Sequence, residues 1–132
     1  ASVDRWEVAR KWLASKMRIV GLFDLPPNIF AETGVNTTIV VGYKPTDDEL
    51  IKLNKNGYEV FVKDIQRIGY EVRTSNRVKF FNPVYKIDEN NFEIVINDQG
   101  ESVLDEEFTE TINDFRKWAL SQEETLKKLF LK

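Results

Sequence analysis

The spacing of apolar positions changes from helical to strand-like near residue 17. Between Asp4 and Met17 the apolar residues Trp6, Ala9, Leu13 and Met17 stand three or four apart, which predicts an amphipathic helix with a basic outer surface. Arg18 to Leu25 is largely apolar and is stopped by Pro26-Pro27, and Thr37 to Tyr43 is a run of β-branched residues. Continuous apolar runs suit strands that are covered on both faces. These two segments therefore predict core strands of an α/β sheet.

The remaining segments alternate between strand and helix patterns. Three more strands are predicted, at Tyr58 to Ile65, Val84 to Ile87 and Phe92 to Ile96. Helices are predicted from Asp47 to Leu53, from Asp105 onward, and after the capping box Ser121-Gln122-Glu123-Glu124. The composition of residues 67–79 predicts a basic loop, and that of residues 88–91 predicts a turn.

Composition limits the classes of function. With 132 residues and 42% hydrophobic content, the chain is large enough for one domain and too small for two full ones. Its formal net charge of -3 gives no global attraction to nucleic acid. The absence of Cys and His excludes histidine-dependent triads and the common zinc sites. With no apolar run long enough for a membrane span and no signal-peptide pattern, we expect a cytoplasmic protein with no membrane partner.

A run of short motifs follows the first predicted helix in a fixed order. The motifs are Arg18-Ile19-Val20-Gly21-Leu22-Phe23-Asp24-Leu25-Pro26, Asn28-Ile29-Phe30, Thr33-Gly34-Val35-Asn36-Thr37 and Ile39-Val40-Val41. This order resembles the downstream part of N6-adenine DNA methyltransferases, notably the modification subunits of type I restriction systems and their fused restriction-methylation relatives. The likeness is close from Arg10 to Lys44 and looser from Val60 to Tyr70.

The resemblance implies a fold and a cofactor. It implies an α/β chain: the incomplete C-terminal part of a Rossmann-like methyltransferase sheet, formed by a helix and a β-hairpin in residues 1–57, with an appended α+β region in residues 58–132. The family binds S-adenosylmethionine at a glycine turn and uses an Asn-Pro-Pro-Tyr or Asn-Pro-Pro-Phe motif. This chain has no Gly-x-Gly pair, and Asn82-Pro83-Val84-Tyr85 matches only in part and follows the hairpin. The resemblance therefore implies that S-adenosylmethionine binds elsewhere in a parent protein and that this segment alone has no catalytic residue.

The same resemblance implies site residues. Phe30 corresponds to the family's aromatic residue that stacks on the extruded adenine, although an aromatic at a strand end also suits a core position. The loop around it is shaped by Pro26, Pro27, Gly34 and Asn36. Apart from the resemblance, the charges themselves offer a basic set that could contact DNA phosphates or could form an ordinary solvated loop. This set is Lys63, Arg67, Arg73, Arg77 and Lys79.

A second class of function stays open. The chain could be a non-catalytic module that binds a protein or a nucleic acid, with the stripe of Phe108, Ile112, Phe115 and Trp118 either docking a partner or forming core. Expected partners are DNA and a specificity or restriction subunit, and exposed strand edges favour self-association. Asp64, Glu71 and Arg73 match a metal-dependent nuclease poorly, so no metal site is expected. A first residue other than Met suggests a cut end.

Overall fold

The computed structural model describes residues 3–27 and 36–132, which form a mixed α/β structure of helices and small sheets. The helices are α1 (Val3–Ala14), α2 (Asp47–Asn56), α3 (Phe108–Ala119) and α4 (Glu124–Phe130). The strands are β1 (Arg18–Leu25), β2 (Thr37–Tyr43), β3 (Phe61–Asp64), β4 (Tyr70–Ser75) and β5 (Val78–Pro83).

Internal contacts divide the chain into two compact units. Unit 1 comprises Ala1–Phe23, Thr38–Lys63 and Asp114–Lys132, and unit 2 comprises Asp24–Thr37 and Asp64–Asn113. The division of the sequence into residues 1–57 and 58–132 follows the family resemblance rather than contacts, and it stays a prediction.

A three-stranded sheet with the order β2-β1-β3 contains both strands of the predicted hairpin. Strands β1 and β2 have the bounds that the apolar runs predict. The middle strand β1 is buried over its first four residues, whereas β2 is exposed or half-buried until Tyr43. The expectation that both strands are covered is thus confirmed for β1 and wrong for most of β2, because β2 lies at the edge of this sheet.

The core of unit 1 forms where the sheet meets the C-terminal helices. Val20, Tyr43, Ala119 and Leu126 are its buried residues, and the aromatic rings of α3 pack against them. The Phe61 and Phe115 rings meet edge to face at 5.5 Å, a favourable arrangement for aromatic pairs. Phe115 and Trp118 are therefore core residues, as one of the two interpretations of the aromatic stripe predicts. Ile112, on the same predicted stripe, is 52% exposed.

Helix α4 begins differently from the sequence prediction. Its N-cap is Glu123, which makes no side-chain capping hydrogen bond. The Ser121 hydroxyl donates instead to the Trp118 carbonyl at the end of α3. The predicted capping box is therefore wrong, because Ser121 is used in closing the preceding helix.

Unit 2 contains an antiparallel hairpin of β4 and β5, so the prediction of a loop over residues 67–79 is wrong. The strands join at Asn76 and Arg77, which have φ values of 50° and 67° and lie between the paired residues Ser75 and Val78. Two successive left-handed residues form the tight turn whose twist matches paired strands. The segments around Ile87 and Ile94 pair only through isolated bridges, so the two continuous strands predicted there are not formed.

Candidate functional site

The segment between β1 and β2 carries the residues that the family resemblance assigns to base capture. Phe30 and Gly34 lie outside the described residues. Pro26 is half-buried after the end of β1, and Pro27 is exposed. Asn36 is exposed immediately before β2. The roles of these residues stay predictions.

Close packing fixes the base of this hairpin. A Cβ atom on Gly42, near the end of β2, would come within 2.7 Å of both the Arg18 carbonyl oxygen and the Met17 Cε atom. No real Cβ contact is that short, so a larger residue would push β2 away from the start of β1. Glycine at position 42 therefore lets the two strands lie close together at the end opposite the Phe30 loop.

Arg18, the first residue of β1, is fully buried in unit 1. Its Nε atom donates to Glu123 Oε1 at 2.8 Å, and its Nη1 atom donates to the Ile19 and Glu59 carbonyls. The guanidinium group also lies 4.0 Å from the centroid of the Tyr58 ring. A buried charge is tolerated only when it is paired and its donors are satisfied, and Arg18 meets both conditions.

Glu123 joins the two strands of the hairpin to the C-terminal helices. Its Oε1 atom accepts from Arg18 in β1 and from the Tyr43 hydroxyl in β2 at 2.8 Å. Burial raises the pKa of Tyr43, and its hydrogen bond to Glu123 adds to the shift. Burial alone would raise the pKa of Glu123, but hydrogen bonds, chiefly that from Arg18, hold this pKa below its ordinary value. Glu123 is therefore ionised at neutral pH and is poorly suited to act as a general base, which needs a pKa near the working pH.

An open cavity of about 410 Å³ lies beside this cluster in unit 1. Its wall includes Tyr58, Glu59, Gln122 and Glu123. Two of these polar groups already have partners inside the unit, since Glu123 binds Arg18 and the Glu59 carboxylate accepts from the Trp118 indole at 3.1 Å. The polar groups of the cavity thus serve first to join β1, β2 and α3, and we assign this site a structural role.

Arg67 of the predicted basic set lies in an acidic cluster within unit 2. Its guanidinium group contacts Asp105 at 3.1 Å, Glu107 at 3.7 Å and Glu110 at 2.7 Å. The buried Glu107 carboxylate also accepts from the backbone amides of Gln66 and Arg67. These contacts favour a structural role for Arg67 over a contact with DNA phosphates.

The other members of the basic set lie on β3, β4, β5 and the turn between β4 and β5. Arg73 is exposed on β4 and pairs with Glu71 at 2.7 Å, whereas Arg77 is exposed at the tip of the β4-β5 hairpin. Lys63 is half-buried on β3. Lys79 stands opposite Thr74 in the register of the hairpin, and its side chain lies outside what the structure describes.

The first two residues of the partial catalytic motif belong to the β4-β5 hairpin. Asn82 and Pro83 end β5 and stand opposite Glu71 and Tyr70. Among residues 3–27 and 36–132, no three acidic, Cys or His side chains are grouped to hold a metal ion. The helices of this described part are all too short or too polar to cross a bilayer.

Comparisons with protein-family models, curated proteins and solved structures find no match to this chain. The Arg18-Glu123-Tyr43 cluster was missed at the level of sequence. One signal for it exists, because a charged residue that opens an otherwise buried strand needs a partner. The sequence does not identify that partner, since Glu123 is 105 residues away from Arg18.

Proposed function

We propose that this chain is the C-terminal part of an N6-adenine-specific DNA methyltransferase of a restriction-modification system, contributing the hairpin that stacks on the target base. The observation that carries the proposal is the pairing of buried β1 with the apolar edge strand β2, joined by the segment that holds Phe30. In this proposal β2 pairs with further strands of a Rossmann-like sheet in the parent protein.

The exposure of β2 supports an incomplete sheet. Ile39 is 48% exposed on this edge strand, and the neighbouring Val40 and Val41 are only half-buried. Natural proteins usually protect an apolar edge strand with charges, prolines or a covering segment. Strand β2 contains neither a charged residue nor a proline, and such a β-branched strand is better suited to the interior of a larger sheet.

The clamp at the base of the hairpin supports its use in positioning. Arg18 and Tyr43 stand at the base, and both are held by Glu123. In this proposal, the contacts of Glu123 hold the base of both strands, and the anchored strands position the loop residue at their other end. Enzymes that modify a base must extrude it and hold it against flat surfaces, and a loop Phe provides such a surface.

S-adenosylmethionine would be bound by another part of the parent protein. In methyltransferases of this family the cofactor site is a glycine-containing turn between a strand and a helix. The described strand-to-helix connection from β2 to α2 is made by Lys44, Pro45 and Thr46, and Thr46 caps the helix through its hydroxyl. This connection does not fit the cofactor, so in this proposal the chain contributes to base capture and DNA contact and not to cofactor binding.

The direct test of the proposal is methyl transfer to DNA adenine by the intact parent protein. Wild type and Phe30→Ala are compared with tritium-labelled S-adenosylmethionine as the donor. Loss of transfer with retention of folding supports the proposal. Equal transfer rates for the two proteins would refute the role of Phe30.

The tip of the β4-β5 hairpin carries an exposed cation that is suited to contact DNA. Arg77 is exposed at the tip and has no ion pair among the described contacts, and Val78 and Phe80 beside it are about half exposed. We expect weak, non-specific duplex binding, with a Kd on the order of 10⁻⁴ M. Replacing Arg77 with alanine should weaken binding and lower the slope of log Kd against log salt by about 1, because one phosphate contact is lost.

The measurement is fluorescence anisotropy of a labelled duplex at several salt concentrations. Lys55→Ala is the matched control, because Lys55 is also an exposed cation and lies on α2 in unit 1. Equal effects of Arg77→Ala and Lys55→Ala would show that only general charge matters and would contradict a specific role for the hairpin tip.

A further inference from the structure

One face of the β4-β5 hairpin carries large apolar side chains that are open to solvent. Antiparallel partners lie on the same side of a two-stranded ribbon, and the sides alternate along each strand. The register therefore places Phe80 with Arg73, and Val78 with Ser75, on one face. Val78 is 54% exposed and Phe80 is 48% exposed. We call this side the Phe80 face, which comprises Glu71, Arg73, Ser75, Val78, Phe80 and Asn82.

The hairpin is positively charged, although the chain as a whole has a formal net charge of -3. Residues 70–83 contain three cations, Arg73, Arg77 and Lys79, and a single carboxylate, Glu71. Glu71 lies at the end of the Phe80 face that is farther from the tip, and it is already paired with Arg73 Nε at 2.7 Å. The Arg73 and Glu71 side chains are 69% and 45% exposed, so their ion pair contributes little and leaves Arg73 able to bind another anion. The charge of the hairpin therefore complements a polyanion.

The tip of the hairpin holds Arg77 in a backbone conformation that favours glycine. Its φ is 67°, and glycine is the usual residue at this position of a two-residue turn. The conformation is unfavourable for arginine, and the exposed side chain makes no ion pair within the described part of the chain. Residues in such conformations cluster at active sites and ligand clamps. The turn therefore favours a ligand outside the protein for the Arg77 guanidinium group.

An exposed Phe ring beside cations fits an unpaired base. In a duplex the faces of the bases are stacked on their neighbours, and the grooves present only base edges. In a single strand the faces are accessible, and proteins bind such strands with aromatic side chains that stack on bases and cations that contact phosphates. Phe80 and Arg73 supply both elements, because directly opposite residues have Cβ atoms only about 5 Å apart. The polar tip, Asn76-Arg77, opposes insertion of the hairpin into a lipid bilayer.

We propose that the Phe80 face binds an unpaired DNA strand, with Phe80 stacked on a base and with Arg73 and Arg77 on phosphates. Strand β5 has six residues and is about 20 Å long, so the face can follow about six nucleotides of a strand that rises roughly 3.4 Å per nucleotide. This inference deepens the DNA contact of Arg77 proposed above and rests on that contact, but it does not depend on methyl transfer. It adds a preference for unpaired DNA and a role for Phe80.

The probe is a fluorescein-labelled oligo-dT strand of about 12 nucleotides, which exceeds the length of the face. Its anisotropy is measured with the full chain, and a duplex and an abasic strand of the same length are compared with it. A duplex has the higher charge density, so a purely electrostatic site binds the duplex more tightly. We expect the oligo-dT strand to bind at least roughly fivefold more tightly than either comparison, which is the smallest usual gain from stacking one base.

Variants of neighbouring Phe residues locate the binding to one face. Phe80→Leu keeps an apolar side chain but removes the flat ring, so it should weaken binding of oligo-dT at least roughly fivefold. It should leave the salt dependence unchanged, because stacking releases no counterions. Phe80→Trp should retain binding. The matched control is Phe81→Leu, which should leave binding unchanged, since Phe81 is 55% exposed on the opposite face of β5 and packs against Tyr70.

Arg77→Gly tests the charge at the tip without straining the turn. It should weaken binding of oligo-dT and lower the slope of log Kd against log salt by about 0.7, the value for one phosphate of a single strand. Glycine adopts a φ of 67° freely, so urea unfolding should show no loss of stability. A less stable Arg77→Gly variant would mean that Arg77 serves the hairpin itself and would contradict its assignment to a phosphate.

Several results would overturn the proposal. Binding of the duplex or the abasic strand as tightly as oligo-dT would show that no base is stacked, and this comparison decides the matter even if Phe80→Leu is unfolded. Equal losses for folded Phe80→Leu and Phe81→Leu would refute the assignment to one face. Tighter binding of oligo-U would make RNA the occupant, and tighter binding to phosphatidylserine vesicles would make it a lipid surface. A failed preference for unpaired DNA leaves the duplex contact of Arg77 and the role of Phe30 standing, because duplex titration and methyl transfer measure those separately.

Discussion

Replacing Glu123 with alanine is expected to lower the free energy of unfolding by about 3 to 5 kcal/mol, the usual cost of leaving a buried charge without its partner. Arg18 is 0% exposed and cannot turn its guanidinium group into solvent without leaving the core. The substitution also removes the acceptor of the Tyr43 hydroxyl. Since small domains are stable by only about 5 to 15 kcal/mol, this change should bring unit 1 close to unfolding.

Urea unfolding followed by tryptophan fluorescence measures this effect, because Trp118 packs in the same core. The neighbouring residue provides the control. Glu124 has a 78% exposed side chain and pairs with Lys127 on the surface, so Glu124→Ala should leave the free energy of unfolding nearly unchanged. Similar losses for the two variants would show that the buried pair does not hold the hairpin base.

Acidic pH should remove the stabilisation of the fold that the Glu123 carboxylate provides. Its pKa in the folded protein lies below the ordinary value, so the carboxylate stabilises the fold at pH values above about 4.3, its pKa in the unfolded chain. As the pH falls through the lower folded pKa, this contribution is lost. We therefore expect the difference in unfolding free energy between wild type and Glu123→Gln to narrow below about pH 4. A difference that stays constant from neutral to acidic pH would contradict this assignment.

The sequence predicts β1 and β2 well because their patterns have one interpretation. Both runs are rich in β-branched and apolar residues, and Pro26-Pro27 ends the first of them. The β4-β5 hairpin is different, because charged residues such as Arg73 alternate with apolar ones and resemble a polar loop. Its two-residue turn at Asn76 and Arg77 lacks the glycine that most often signals such a turn.

Sequence alone can suggest a site only where its residues lie in one short stretch. Phe30 and its loop were proposed in this way from a run of short motifs, and they stay a prediction because Phe30 lies outside the described residues. The clamp of Arg18, Tyr43 and Glu123 joins residues from three distant segments, and no local pattern links them. For Arg67 the local sequence is misleading. Its basic stretch suggests a phosphate contact, but in the structure Arg67 pairs with the distant acidic residues Asp105 and Glu110.

Phe30→Ala should reduce methyl transfer by the parent protein without unfolding it. Stacking of a base on an aromatic side chain is worth about 1 to 3 kcal/mol, which corresponds to a loss of roughly 5- to 150-fold in kcat/KM. Phe30→Trp should retain most of the activity, since an indole also offers a flat apolar surface. Phe92→Ala is the control, because Phe92 is an exposed aromatic residue outside the β1-β2 hairpin.

The central claim is that the β1-β2 hairpin captures an extruded adenine, and the most direct measurement is fluorescence of 2-aminopurine placed at the target adenine of a duplex. On binding the parent protein, extrusion raises the signal as the base leaves the helix, and stacking on Phe30 then limits that rise. We predict that Phe30→Ala gives a brighter signal and weaker binding than wild type, while Phe92→Ala matches wild type. The same signal and affinity for Phe30→Ala and wild type would contradict the claim.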